Sequence, residues 1–169
     1  MSIQSDVKDF ISMFILAVLF YYLLGFVLNT NMPLVSVVSD SMIPGLHRGD
    51  MLLVSGYGPY EKGDVVIYFK KEIGYPIVHR IVGFVNITEG NKTEEMIITK
   101  GDNNRVRDCW SQILYNKDKC WSVSKKEIRG KMIIGVPLAG YPKLILKSPV
   151  NFVRCDILGM NRMLYCTGK

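Results

Sequence analysis

Apolar positions divide this chain of 169 residues into two textures. From Phe10 to Leu28 (FISMFILAVLFYYLLGFVL) they run without a single charge. At about 1.5 Å per helical residue the stretch spans roughly 28 Å, close to the hydrocarbon thickness of a bilayer. No polar face recurs at helical spacing, which argues against a half-buried helix of a soluble core. A cleaved targeting peptide would have a shorter apolar region, a basic front and a small-residue cleavage site. Here Lys8 stands against Asp6 and Asp9, and no small-x-small site precedes Asn29. The pattern predicts a short tail at 1–9 and an uncleaved single-pass anchor at 10–28.

Beyond Asn29 the texture changes to short β-type runs separated by Gly, Pro and Asn. Alternation and β-branched content predict strands at Leu34–Val38, Met51–Ser55, Asp64–Lys70, Ile77–Val85, Met96–Lys100 and Lys131–Val136. Turn signals lie between them, at Gly56-Tyr57-Gly58-Pro59, Lys62-Gly63-Asp64, Glu89-Gly90-Asn91 and Gly101-Asp102-Asn103. The expected fold is mainly β, a compact domain over 29–169 carried on one N-terminal transmembrane helix.

Composition changes this picture only in places. The chain is 49% hydrophobic, with a mean hydropathy of +0.17, and the anchor accounts for much of that. The net charge of +6 and pI of about 9.1 raise nucleic acid as a partner, but Lys and Arg are scattered with no basic-aromatic stripe. Attraction to anionic membrane lipids, or a plainly solvated surface, accounts for them better. Charge does not orient the anchor, because the positive-inside rule counts short flanking loops and fails for whole domains. Four cysteines form two equally spaced pairs, Cys109 with Cys120 and Cys155 with Cys166, and no Cys-x-x-Cys suggests zinc. Two local disulfides would suit an extracytoplasmic domain, with free buried thiols as the other reading. The triplets Asn86-Ile-Thr and Asn91-Lys-Thr are glycosylation sequons, expected in a polar turn.

The candidate chemistry gathers at Val35–Asp50. A β-branched run ends in Ser39-Asp40-Ser41, then Pro44-Gly45 breaks the backbone and Arg48-Gly49-Asp50 turns it again. A serine at the end of a stiff strand is held where a nucleophile is useful. Ser41 lies so few residues past the anchor that it must work near the membrane surface. Met42, Ile43 and Leu46 could face lipid or a greasy substrate, or could be core. Ser41 needs a base. His47 sits in a charged turn and is expected to be solvated. His79 shares one strand face with Ile77 and Ile81, opposite Val78, Arg80 and Val82. Lys100 is the rival base, since serine–lysine dyads exist, although its place beside Asp102 suggests a charge pair. Asp102 and Asp108, in the loop that follows the predicted strand Met96–Lys100, are the candidate acids.

Together these residues resemble the type I signal peptidases, specifically the archaeal and endoplasmic-reticulum branch. The resemblance rests on the apolar anchor, Ser39-Asp40-Ser41-Met42-x-Pro44, Arg48-Gly49-Asp50, Ile77-Val78-His79-Arg80, Lys100-Gly101-Asp102-Asn103-Asn104 and Asp108. It covers roughly residues 10–135. The bacterial branch has lysine where His79 stands, so His79 assigns the branch. Asp40 departs from the family's usual Gly. The resemblance implies a membrane-bound serine endopeptidase that removes signal peptides from exported preproteins, cutting after small residues. Ser41 would be the nucleophile, His79 the base, Asp108 the triad acid and Asp102 a supporting acid. Ser39 and Met42 would border the oxyanion and substrate. No metal or cofactor is called for. The catalytic domain would lie on the extracytoplasmic side of an archaeal or endoplasmic-reticulum membrane. Partner subunits of a signal peptidase complex or translocon are compatible with this reading. The other readings of the residues are a membrane-anchored serine protease with another substrate and a non-catalytic, membrane-tethered binding domain.

Overall fold

The computed structural model describes residues 3–71, 73–89, 92–108 and 123–142. The four cysteines and Asn91 fall outside the described residues, and with them the disulfide expectation and the second sequon.

One long helix, α1 (Ile3–Val27), precedes seven strands. It begins at Ile3 rather than Phe10. The end of the charge-free stretch marks a change in side chains, and the backbone helix runs on through Asp6, Lys8 and Asp9. Its apolar side chains are exposed all round, with Phe10 at 69% and Phe26 at 83%. Such a helix has no face to lay against the domain and is long and apolar enough to cross a membrane. Its C-terminus closes with the Thr30 N–H bonded to the Gly25 carbonyl and the Asn29 N–H to that of Phe26. Asn29 adopts the left-handed conformation (φ 50°) that this Schellman motif requires.

The strands are β1 (Leu34–Ser36), β2 (Met51–Ser55), β3 (Val65–Phe69), β4 (Pro76–Glu89), β5 (Lys92–Lys100), β6 (Val123–Ser124) and β7 (Ile128–Val136). They form one antiparallel sheet in the order β1-β2-β7-β3-β4-β5-β6. β1 is an edge strand. All six expected strands are present. β4 and β5 extend past their expected ends into a long hairpin, so Asn86 of the first sequon lies in a strand, opposite Glu95, rather than in a turn. Polar cross-strand partners such as Thr88 and Thr93 (Oγ1 to Oγ1, 3.1 Å) carry the ladder where apolar alternation has stopped. β6 is too short to leave a periodic signal.

β3 is buried on both faces. Val65 and Ile67 point into one apolar cluster, with Val35, Met42, Leu46 and Leu52. Val66 and Tyr68 point into the other, with Ile81, Ile97 and Ile128. The alternation expected in β4 holds: Ile77 and Ile81 pack with the second cluster, and Val78 packs with the first.

The helix end is joined to the sheet. The Gly56 N–H donates to the Leu28 carbonyl (2.8 Å), and Thr30 Oγ1 donates to the Arg129 carbonyl (2.7 Å). Gly56 has no room for a Cβ, which would run into the Asn29 carbonyl.

Candidate active site

The serine turn grows directly out of β1. Met42 (1% exposed) and Leu46 (5%) drop into the first apolar cluster on either side of exposed Pro44 and Gly45. These two plugs hold the turn, so Ser41 stands at its rim, partly exposed. The base of the turn is closed by Arg48-Gly49-Asp50. Gly49 N–H donates to the Val37 carbonyl, Val37 N–H to that of Asp50, and the Asp50 carboxylate receives the His47 and Leu138 N–H groups. Gly49 turns through φ 93°, a left-handed value that favours glycine.

His79 comes from β4 and lies 8% exposed beside this turn. Its Nε2 is 3.1 Å from Ser41 Oγ, and its Nδ1 is 2.5 Å from Asp108 Oδ2. Asp108 follows β5, its N–H bonded to the Thr99 carbonyl. The same Oδ2 accepts from Thr99 Oγ1 (2.8 Å) and Tyr68 OH (3.1 Å). Burial pushes the Asp108 carboxyl up, yet the hydrogen bond and charge interaction with His79, followed by the bonds from Thr99 and Tyr68, hold it below its ordinary value. Burial, then the Asp108 charge, pushes the Tyr68 phenol up, so it stays a donor. An ionised Asp108 accepts the hydrogen bond of Nδ1–H from a neutral imidazole, which leaves Nε2 as the acceptor for the Ser41 hydroxyl. Ser39 Oγ lies 3.1 Å from Ser41 Oγ.

Asp102 takes a different partner. Its two oxygens receive Arg80 Nε (2.9 Å) and Nη2 (2.7 Å), while Arg80 Nη1 donates to the Gly63 carbonyl. This two-pronged pair lowers the Asp102 carboxyl and raises the Arg80 guanidinium. The loop carrying Asp102 is also tied to the serine turn. The Asn103 N–H donates to the Ser41 carbonyl (2.8 Å) and Asn103 Nδ2 to that of Asp40 (3.1 Å). Gly101 makes this approach feasible. A Cβ there would come within 2.7 Å of the Ser41 carbonyl and 2.9 Å of His79 Nε2.

A hydroxyl, an imidazole and a buried ionised carboxylate in hydrogen-bonded series form the arrangement that acyl transfer by a serine uses. A family model described as "Signal peptidase, peptidase S26" matches residues 7–86, which include most of the helix, Ser41 and His79. The chain is 35% identical over 140 residues to the signal peptidase complex catalytic subunit SEC11 of Ogataea parapolymorpha, covering 79% of this chain and 78% of that one. It is 31% identical over 164 residues to the SEC11 subunit of Scheffersomyces stipitis (95% and 94%), and 32% over 146 residues to that of Komagataella phaffii (85% and 83%). The chain belongs to the signal peptidase family.

Of the positions expected from that family's motifs, Ser41, His79, Asp108 and Ser39 meet at one point. Asp102 stands beside them, bonded to Arg80 rather than to the imidazole. The Met42 side chain is core, because the turn folds it inward as a plug. Leu46 is core for the same reason. His47 is exposed, as its charged turn implied. Lys100 faces Arg80 across the β4–β5 ladder, and its charge helps lower the Asp102 carboxyl. Sequence reasoning missed Tyr68, Thr99 and the packing role of Gly101. Tyr68 and Thr99 read as ordinary strand residues. The glycine carried a signal, since it directly precedes the acidic loop. Among the described residues no three His, Cys, Asp or Glu side chains are grouped as a metal would need.

Proposed function

We propose that the chain is a membrane-bound serine endopeptidase that removes N-terminal signal peptides from exported preproteins, cutting after small residues. The observation that carries this is the series Ser41 Oγ, His79 Nε2, His79 Nδ1, Asp108 Oδ2, with separations of 3.1 and 2.5 Å. His79 takes the proton of Ser41 as Oγ attacks the scissile carbonyl. Asp108 fixes the tautomer and stabilises the imidazolium that forms. The Ser41 N–H, with the Ser39 hydroxyl, faces the developing oxyanion; one such donor is worth about 10²–10³ in rate. His79 then returns its proton to the leaving amine. Water, deprotonated by the same imidazole, clears the acyl-enzyme. Asp102 acts through Arg80 to keep its loop against the serine turn. The domain after the helix, residues 29–169, works on the extracytoplasmic side, and the chain serves as the catalytic subunit of a signal peptidase complex, as the names of its relatives suggest.

Ser41→Ala is expected to abolish release of the mature protein from a preprotein in membranes while leaving thermal unfolding unchanged. Full cleavage by that variant would sink the assignment. Sidedness is checked separately, by protease protection of the domain in sealed vesicles.

A further inference from the structure

We propose that Thr99 and Tyr68 are positioning residues that keep Asp108 ionised and aimed at His79, and so set how acidic a medium the peptidase tolerates. This rests on the triad reading above. Asp108 is largely buried, its side chain 13% exposed. Burial alone favours the neutral acid, which no longer accepts the Nδ1 proton or stabilises an imidazolium. Two hydroxyls oppose that outcome. Thr99, wholly buried on β5, and Tyr68, 2% exposed on β3, donate to the oxygen that His79 uses. Three donors on one oxygen leave the carboxylate a single low-energy rotation. Neither hydroxyl reaches Ser41, so both act through Asp108. Among the described residues, charged groups nearby include Asp102, held by Arg80, with Lys100 beside it, and Glu127, which bears on Tyr68 and pairs with Lys70 at 3.5 Å.

Removing a donor weakens the ionised form of Asp108, so the carboxylate takes up a proton more readily as the medium is acidified. The test uses the full chain in detergent, assayed on a preprotein across pH. Thr99→Val is expected to lower kcat roughly tenfold, in line with loss of a hydrogen bond to a charged group. KM should stay the same, and the acid limb of kcat/KM should move upward. Tyr68→Phe should do the same more weakly, its bond being longer. Thr99→Ser, which keeps the hydroxyl, should restore both readings. The inference falls if both donor-less variants keep the original kcat and acid limb, if the loss appears only in KM or in melting temperature, or if Thr99→Ser is as impaired as Thr99→Val. Tyr68→Phe carries the test if Thr99→Val does not fold. Ser41→Ala and Asp108→Asn run alongside. Cleavage surviving in those would defeat the triad reading itself, and this inference with it, whereas their inactivity beside unaffected Thr99 and Tyr68 variants would defeat the inference alone.

Discussion

At the scale of single residues, the two aspartates expected near the site are separated by what each one touches. Asp108 faces the imidazole, and Asp102 faces a guanidinium. Asp108→Asn is expected to cost about 10⁴ in kcat, because an amide presents a donor where the imidazole needs an acceptor. Asp102→Asn keeps the imidazole's partner and should cost far less, its effect passing through the loop. Comparing the two kcat values for a preprotein checks this, and equal losses would contradict the division of roles. Gly101→Ala should lose about 10² in kcat together with a lowered melting temperature, since its Cβ would push the Ser41 carbonyl and the imidazole apart. Ser41 and His79 were legible in the chain: the serine from its strand-end turn, the histidine from an alternation that put it with Ile77 and Ile81. Asp108 was legible only beside Asp102, through likeness to a family, since two acids in a polar loop look alike until a fold gives them neighbours. Tyr68 and Thr99 were not legible at all, because a hydroxyl donating out of its strand to a loop carboxylate leaves no local pattern.

Among the elements, the joint between α1 and the sheet matters most. The capped helix end, the Gly56 bond to Leu28 and the Thr30 bond to Arg129 remove the slack that a bare tether would have. Gly56→Ala is therefore expected to disturb the joint more than the site. Cleavage of a membrane-inserted preprotein should fall several-fold, while cleavage of a short soluble peptide carrying the same cut site should stay near its original rate. Parallel loss of both activities would show that the joint does not act independently. The strands were read almost correctly because their apolar alternation is strong where the sheet is buried. That alternation fades at the far ends of β4 and β5, where the hairpin leaves the core and polar cross-strand pairs such as Thr88–Thr93 take over.

For the molecule as a whole, stability rests on a sheet covered on both faces around β3. Ile67→Ala, at a fully buried position, should destabilise by about 2–5 kcal/mol in denaturant unfolding. Acid should act on the fold through Asp102 and Asp108, both held below the ordinary carboxylate value. A depressed carboxylate contributes stability above its unfolded value of about 3.9, and that contribution disappears as pH falls through the folded value. Melting temperature should hold steady from neutrality to about pH 5 and drop below it, with a shallower drop in the two Asn variants. A decline as steep as the original in both would assign acid sensitivity elsewhere.

The position of β1 has one further consequence. Among the described residues β1 is an edge strand leading straight into the nucleophile, and a visiting peptide that paired with it would join as one more ribbon of the sheet. Its side chains would then point alternately towards and away from the enzyme. The residue just before the cut and the one two places earlier fall on the same side, and the residue between them is turned outward. Pleated geometry would then let the enzyme read those two places together and leave the middle one unread.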